Sequence, residues 1–282
     1  MLFIFGILVV VGAVAGGYLL EGGSFRVLLQ PSELIIICGA ALGSFLIGST
    51  KTVLRLFFSN LKQLVSMKSY GHGEYRELLS LLNQLLNKIR REGLASIERD
   101  IESPEQSAIF DGHKKIASDF AAVEFICDTF RVFLVTGDAQ EIDNIMNMDI
   151  QSRGQVDNIP SHNISKLAES LPGLGIVAAV LGVVLTMGKL AQPPEILGQS
   201  IGAALVGTFL GVLLCYGFVG PMATNLENKA LEREMFYNVI RAVIMSTASG
   251  ATPMIALEYG RRSVPAPYRP SFQELDSMRR GR

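Results

Sequence analysis

Few residues in this chain have types and spacings that could carry out chemistry. His72, His113 and His162 stand isolated in polar segments, with no His/Asp/Ser or paired-His arrangement. Cys38, Cys127 and Cys215 form no Cys-x-x-Cys and share no Cys/His ligand spacing. Cys127 reads as a small core residue. No Gly-rich phosphate loop and no Gly-x-Ser-x-Gly turn occurs. These residues offer no catalytic constellation, no metal centre and no cofactor site, so an enzyme is the least favoured reading. Net charge is −1, which suggests no nucleic-acid partner. What stands out instead is a mixed-charge run from Arg90 through Glu98 to Glu102, and Pro172 and Pro221 set in long apolar stretches.

Those stretches define the architecture. Leu2–Leu20, Leu34–Thr50, Ser170–Gly188 and Ile196–Leu226 hold no Asp, Glu, Lys, Arg or His. Each is about as long as a membrane-crossing helix requires, roughly 17–25 residues. The chain therefore reads as all-α, a polytopic membrane protein with four transmembrane helices and a helical cytoplasmic domain. The layout is 1–50 for the first two helices, 51–169 for the soluble insert, 170–226 for the second pair, and 227–282 for a cytoplasmic helix and tail. The first stretch lacks a basic leader and an Ala-x-Ala site, so it reads as a retained span. Pumps and carriers usually keep an acid or base inside the membrane. With none in these stretches, any transported ion must be held by a titrating group on a partner.

Orientation follows from Lys and Arg. Lys51, Arg55, Lys62 and Lys68 follow the second span, and nine cations between Lys229 and Arg282 fill the tail. The two short connections carry only Arg26 and Lys189 with Glu21, Glu33 and Glu195. The positive-inside rule puts 51–169 and both termini in the cytoplasm.

Small residues recur four apart at Gly12, Gly16, Gly39 and Gly43, and crowd the last two spans. Such spacing lets helix backbones approach closely, either within one subunit or around a central partner. Pro172 fits a first helical turn. Pro221 lies inside an apparently continuous helix and should kink it, as a fixed bend or a hinge, freeing a carbonyl near Gly217. Thr208 reads as a hydroxyl that bonds its own i−4 carbonyl.

The insert is helical in pattern. Tyr75, Leu78, Leu79, Leu82, Leu85, Leu86 and Ile89 make one apolar face, ended at Gly93. Ser103-Pro104-Glu105 reads as a helix start, Lys114–Thr136 as one helix, and Asp138 with Glu141 as a capping box opening another that reaches the third span. The run 90–102 reads as solvated surface or as an electrostatic docking face.

Several motifs resemble the MotA family of bacterial flagellar stator subunits. They are Gly-Gly-Tyr-Leu-Leu-Glu-Gly-Gly-Ser at 16–24, Gln-Pro-Ser-Glu-Leu at 30–34, Glu-Arg-Asp-Ile-Glu at 98–102 and Leu-Pro-Gly-Leu-Gly-Ile-Val-Ala-Ala-Val-Leu-Gly-Val-Val at 171–184. Val-Gly-Thr-Phe-Leu-Gly at 206–211, Glu-Tyr-Gly-Arg-Arg at 258–262 and Arg-Pro-Ser-Phe-x-Glu-Leu at 269–275 complete the set. The resemblance implies a pentamer in the lipid of the bacterial inner membrane around a MotB dimer that supplies a membrane aspartate. It implies that Arg90 and Glu98 contact the rotor protein FliG, and that Pro172 and Pro221 couple ion passage to movement. Sodium-type relatives carry threonine where this chain has Ala179, so Ala179, with Thr208 alone, implies protons. The runner-up is an energising subunit of the TolQ/ExbB kind, which has three spans. A non-conducting membrane scaffold is the competitor from another class.

Overall fold

A computed structural model describes residues 2–51, 53–55 and 70–279 of the chain. Lys62, Lys68, Arg280 and Arg282, counted in the orientation argument, lie outside them. The described residues are helical, with no strand among them. The long helices are α1 (Leu2–Leu20), α2 (Pro31–Gly48), α3 (His72–Glu92), α4 (Phe120–Thr136), α5 (Ala139–Met187), α6 (Pro194–Leu213), α7 (Gly220–Ala248), α8 (Pro253–Ser263) and α9 (Phe272–Arg279). Among the described residues, four segments are long and apolar enough to cross a membrane: Phe3–Leu20, Phe25–Gly48, one within Ala139–Met187 and one within Pro194–Ala248. The chain is thus an all-α protein with four candidate spans. Two compact units form, Met1–Met67 with Asn158–Asn228, and Lys68–Asp157 with Lys229–Arg282. The tail residues from Lys229 on therefore share a unit with most of the insert.

In the membrane-type unit, α5 and α6 meet on small residues. A β-carbon on Gly175 would lie 2.7 Å from the Gly207 carbonyl oxygen and 3.0 Å from Gly211 Cα. One on Gly211 would lie 2.6 Å from the Leu171 carbonyl oxygen, and one on Gly182 would lie 2.7 Å from Ala204 Cβ. Here the backbones approach within the chain itself. Gly12, Gly16, Gly39, Gly43, Gly198 and Gly202 differ, since nothing lies within 4 Å of a β-carbon on any of them. Ile37, Ala41, Ala168, Leu171, Ala178 and Cys215 form the small core beneath this seam.

Pro172 departs from its sequence-based placement, and Pro221 disturbs its helix in a different way from the expected kink. Pro172 is not in a first turn: α5 begins at Ala139 and runs through Pro160 and Pro172. At Pro221 the helix widens instead of breaking. Leu214–Val219 forms a π-helical turn, and the Gly220 N–H donates to the Cys215 carbonyl. Proline has no N–H for the carbonyl four residues back, and one inserted residue re-registers the bonds around that gap. Gly220 permits it, because a β-carbon there would sit 2.8 Å from the Cys215 carbonyl oxygen.

The second unit is a packed helical core. α3 buries Tyr75, Leu78, Leu79, Leu82, Leu85 and Leu86, as its periodicity predicts, and Leu81 as well. It packs with Phe236, Val239, Ile240, Val243 and Ile244 of α7. Ion pairs bind α5 to α7 in this unit: Arg241 to Asp143 at 2.7 Å and Arg233 to Asp157 at 3.0 Å. The expected single helix 114–136 is two, Lys114–Ala117 and α4. Asp119 interrupts it, accepting from the Ala122 N–H at 3.3 Å and the Tyr70 hydroxyl at 2.7 Å. Ser103-Pro104 opens only a single 3-10 turn, Pro104–Gln106. His113 is buried between the Ile109 carbonyl and the Ser80 hydroxyl, a structural role. Burial pushes the Cys127 thiol up to about 12, which leaves it an inert core residue.

The two tail motifs fold the tail. Glu258 accepts from Arg261 Nε and Nη2, both at 2.7 Å, and from Arg262 Nε at 2.7 Å. Arg261 also donates to the Pro270 carbonyl, and Arg269 to the carbonyls of Val264 and Arg262. Ser271 and Glu274 form a capping box: the Ser271 N–H donates to Glu274 and the Glu274 N–H to the Ser271 hydroxyl. The hydrogen bond from Arg261, with Arg262 beside it, holds the Glu258 carboxyl down to about 2. A depressed acid stabilises above its unfolded value and loses that contribution as pH falls through the folded one. Glu258→Gln should therefore cost about 1–3 kcal/mol at neutral pH, and the deficit should shrink between about pH 4.5 and pH 2. Thermal unfolding of the solubilised protein against pH measures it; a deficit that grows on acidification contradicts the assignment.

Candidate functional site

The seam between α5 and α6 carries a group that the charge-free stretches do not include. Glu33 lies inside the second span, which corrects the expectation that no span holds an ionisable residue. The reason is local. Pro31 opens α2 ahead of the charge-free stretch, with Gln30 as the capping position, so Glu33 belongs to the helix's first turn. Its side chain is buried, with 7% of the residue exposed. A β-carbon on Gly207 would lie 2.7 Å from Glu33 Oε2, and one on Gly182 would lie 3.7 Å from Oε1. The glycines make room for the carboxylate, and Oε2 has no hydrogen-bond partner among the described residues. Gln-Pro-Ser-Glu with glycines at 182 and 207 was the sequence signal for this site.

Ala179 is buried against the same seam, and its backbone nitrogen would lie 3.0 Å from a β-carbon on Gly207. Thr208, the next residue along α6, is half-buried. The Thr186 and Thr224 hydroxyls donate to the carbonyls four residues back, Gly182 and Gly220. Thr208 makes no such bond among the described residues, so the back-bonding alternative does not hold for it. Glu33, Ala179 and Gly207 therefore come together, and Thr208 adjoins them in sequence.

Further along the spans, an open groove of about 610 Å³ is lined by Ser165, Ala168, Glu169, Cys215, Pro221 and Asn228, among others. It adjoins the π-helical turn. Ala168 is also the residue whose carbonyl Pro172 cannot serve as a helical donor. Ser165, Glu169, Thr224, Asn225 and Asn228 thus gather beside the two proline-containing helices.

The charged run sorts into two sets. Gly93, at φ 87°, ends α3 and turns the chain into a 3-10 turn, Leu94–Ile97, and a short helix, Glu98–Glu102. Lys88 pairs with Asp100 at 2.7 Å, and Asp100 also accepts from Ser107 at 2.6 Å. Arg131 pairs with Glu102 at 2.7 Å and donates to the Ile101 carbonyl. These inner contacts fix the backbone. Arg90, Arg91, Glu92, Glu98 and Arg99 are exposed and make no ion pair among the described residues. Arg90 and Glu98 are thus exposed on a segment that these pairs hold, and neither is in an ion pair among the described residues.

The chain matches two family descriptions, motility protein A N-terminal over residues 4–93 and the MotA/TolQ/ExbB proton channel family over residues 116–238. It is 40% identical to motility protein A of Escherichia coli (strain K12), covering 98% of this chain and 94% of that one. It is 30% identical to chemotaxis protein LafT of Vibrio parahaemolyticus, covering 96% and 95%. The fold is similar to that of the solved C. jejuni MotAB, with TM-score 0.80 at 20% identity over 96% of this chain and 98% of that chain. The Bacillus subtilis flagellar MotAB stator complex gives 0.74 at 22% identity, covering 93% and 95%. With four candidate spans and end-to-end similarity to these relatives, the chain belongs to the motility protein A family.

Proposed function

We propose that this chain is the larger stator subunit of a bacterial flagellar motor. As a pentamer around a MotB-like dimer in the inner membrane, it passes protons and turns the rotor. The partner supplies a membrane aspartate, and Arg90 and Glu98 engage FliG. Pro172 and Pro221 couple ion passage to movement, with Ala179 and Thr208 lining the path. The observation that carries the reading is the pairing, in one family member, of a buried carboxylate seam with a separate set of presented, unpaired charges. End-to-end similarity to motility protein A, with four spans, favours it over a TolQ/ExbB-like subunit, which has three.

The energetics suit a stepping motor. One charge crossing about 100 mV releases about 2.3 kcal/mol. Exposed ion pairs are worth about 0–1 kcal/mol. A passing ion can therefore break one surface contact and let the next form, which a large apolar patch would not allow.

The test of assembly is copurification with a MotB-like chain, expected in a pentamer-to-dimer ratio; recovery of this chain without it contradicts the reading. Topology is tested in a background where Cys38, Cys127 and Cys215 are alanine. A membrane-impermeant thiol probe should reach Ser24→Cys from outside intact cells and Ser96→Cys only after permeabilisation. The reverse pattern overturns the orientation.

A further inference from the structure

We infer that Glu33 is an ion-holding carboxylate of this chain's own, on which the transported cation dwells beside Ala179. The inference rests on the reading of the chain as an ion-conducting subunit and deepens it by adding a second site to the partner's aspartate. Glu33 is more than nine-tenths buried, and Oε2 has no hydrogen-bond partner among the described residues. A buried, unpaired carboxylate is costly and persists only when neutralised.

The surroundings narrow the occupant. α5 offers Ala178, Ala179 and Gly182, and α6 offers Ala204 and Gly207, all without titratable groups. Arg26, in the single-turn helix Phe25–Leu28 ahead of α2, makes no ion pair with Glu33 among the described residues. The charges of the connection between α5 and α6 are Lys189, whose Nζ lies 3.5 Å from the Ser200 hydroxyl, and Glu195. Among the described residues no cation pairs with the carboxylate, and Gly207 leaves no room beside it for another side chain. A proton or one small inorganic cation fits.

The position also suits transfer. Gly207 brings the carboxylate and the Ala179 backbone together, and Thr208 follows it directly with a hydroxyl that makes no hydrogen bond among the described residues. A cation on Glu33 would thus stand at the edge of the path that the prolines border further along.

The experiment uses the chain copurified with its MotB-like partner. Dicyclohexylcarbodiimide adds to protonated carboxyls in apolar surroundings, and mass spectrometry maps the adduct. The expected result is an adduct at Glu33 that falls as pH rises, or falls when sodium is added. In lipid vesicles, Glu33→Gln should lower ion flux several-fold while still copurifying, and Glu33→Asp should retain most of the flux. Flux is read in sodium-free and sodium buffers, so the result stands whichever ion is carried. Should Glu33→Gln fail to copurify, the adduct on the native complex and the Glu33→Asp flux decide. No adduct at Glu33 under any condition, or Glu33→Gln flux equal to native, overturns the inference and leaves a structural carboxyl. A native complex with no flux in either buffer sinks the conducting reading instead, and is distinguished because the adduct is still measured.

Discussion

Gly211→Leu is expected to eliminate the folded membrane unit. A β-carbon at this position already falls 2.6 Å from the Leu171 carbonyl oxygen and 2.9 Å from Gly175 Cα, both backbone atoms of α5. Neither can swing aside as a side chain would. Overpacking a tight contact costs about 1–3 kcal/mol even where side chains can adjust. In lipid there is no hydrophobic drive to hold the helices together once their close contact is lost. The same change at Gly198 in α6 meets nothing within 4 Å and should leave the single chain's fold intact. Yield in the membrane fraction and thermal unfolding in detergent measure both. Equal behaviour of the two variants contradicts the seam.

The second large effect lies at the charged run. The double variant Arg90→Glu, Glu98→Lys should abolish or severely reduce torque while leaving membrane insertion and partner copurification unchanged. Both side chains are exposed and unpaired, so the fold does not depend on them. The pairs that do hold this segment, Lys88–Asp100 and Arg131–Glu102, are untouched. Compensating charge reversals on the rotor protein should restore part of the rotation. Normal swimming of the double variant with an unmodified rotor removes the electrostatic reading. Reversing Asp100 instead should impair folding of the segment as well, because its partners Lys88 and Ser107 are lost together.

How much was legible in the sequence differed by element. The four spans followed from composition, because lipid-crossing helices exclude charge over a length set by the bilayer. The apolar face of α3 followed from helical period, since one-sided burial leaves a plain imprint. The break at Asp119 was not legible: the apolar pattern runs through it, and only the distant Tyr70 hydroxyl reveals why the helix restarts there. Pro172 was misplaced because continuity of α5 depends on neighbours, not on the proline's own preference. Pro221 was half legible; the disturbance was expected, but the π-helical solution needed Gly220 and the Cys215 carbonyl in register. Glu33 was missed for a specific reason. Charge-free stretches define a span's apolar core and set its edge at the first charge, whereas the helix begins at Pro31 and carries the acid into the seam. By residue type alone Arg90 and Glu98 were two charges among many, singled out only by the family resemblance; the structure separates the exposed, unpaired set 90–92, 98 and 99 from the paired Lys88, Asp100 and Glu102.

The measurement closest to the central claim is the rotation speed of tethered cells driven by this chain and its MotB-like partner. Cells are placed in sodium-free buffer, and a protonophore is then added. With Ala179 on the seam and carboxyls as the only ionisable groups invoked for the path, speed should persist without sodium and collapse when the proton gradient is dissipated. Speed that vanishes without sodium, yet survives the protonophore when sodium is present, would contradict proton coupling and show that Glu33, Thr208 and partner oxygens suffice for sodium.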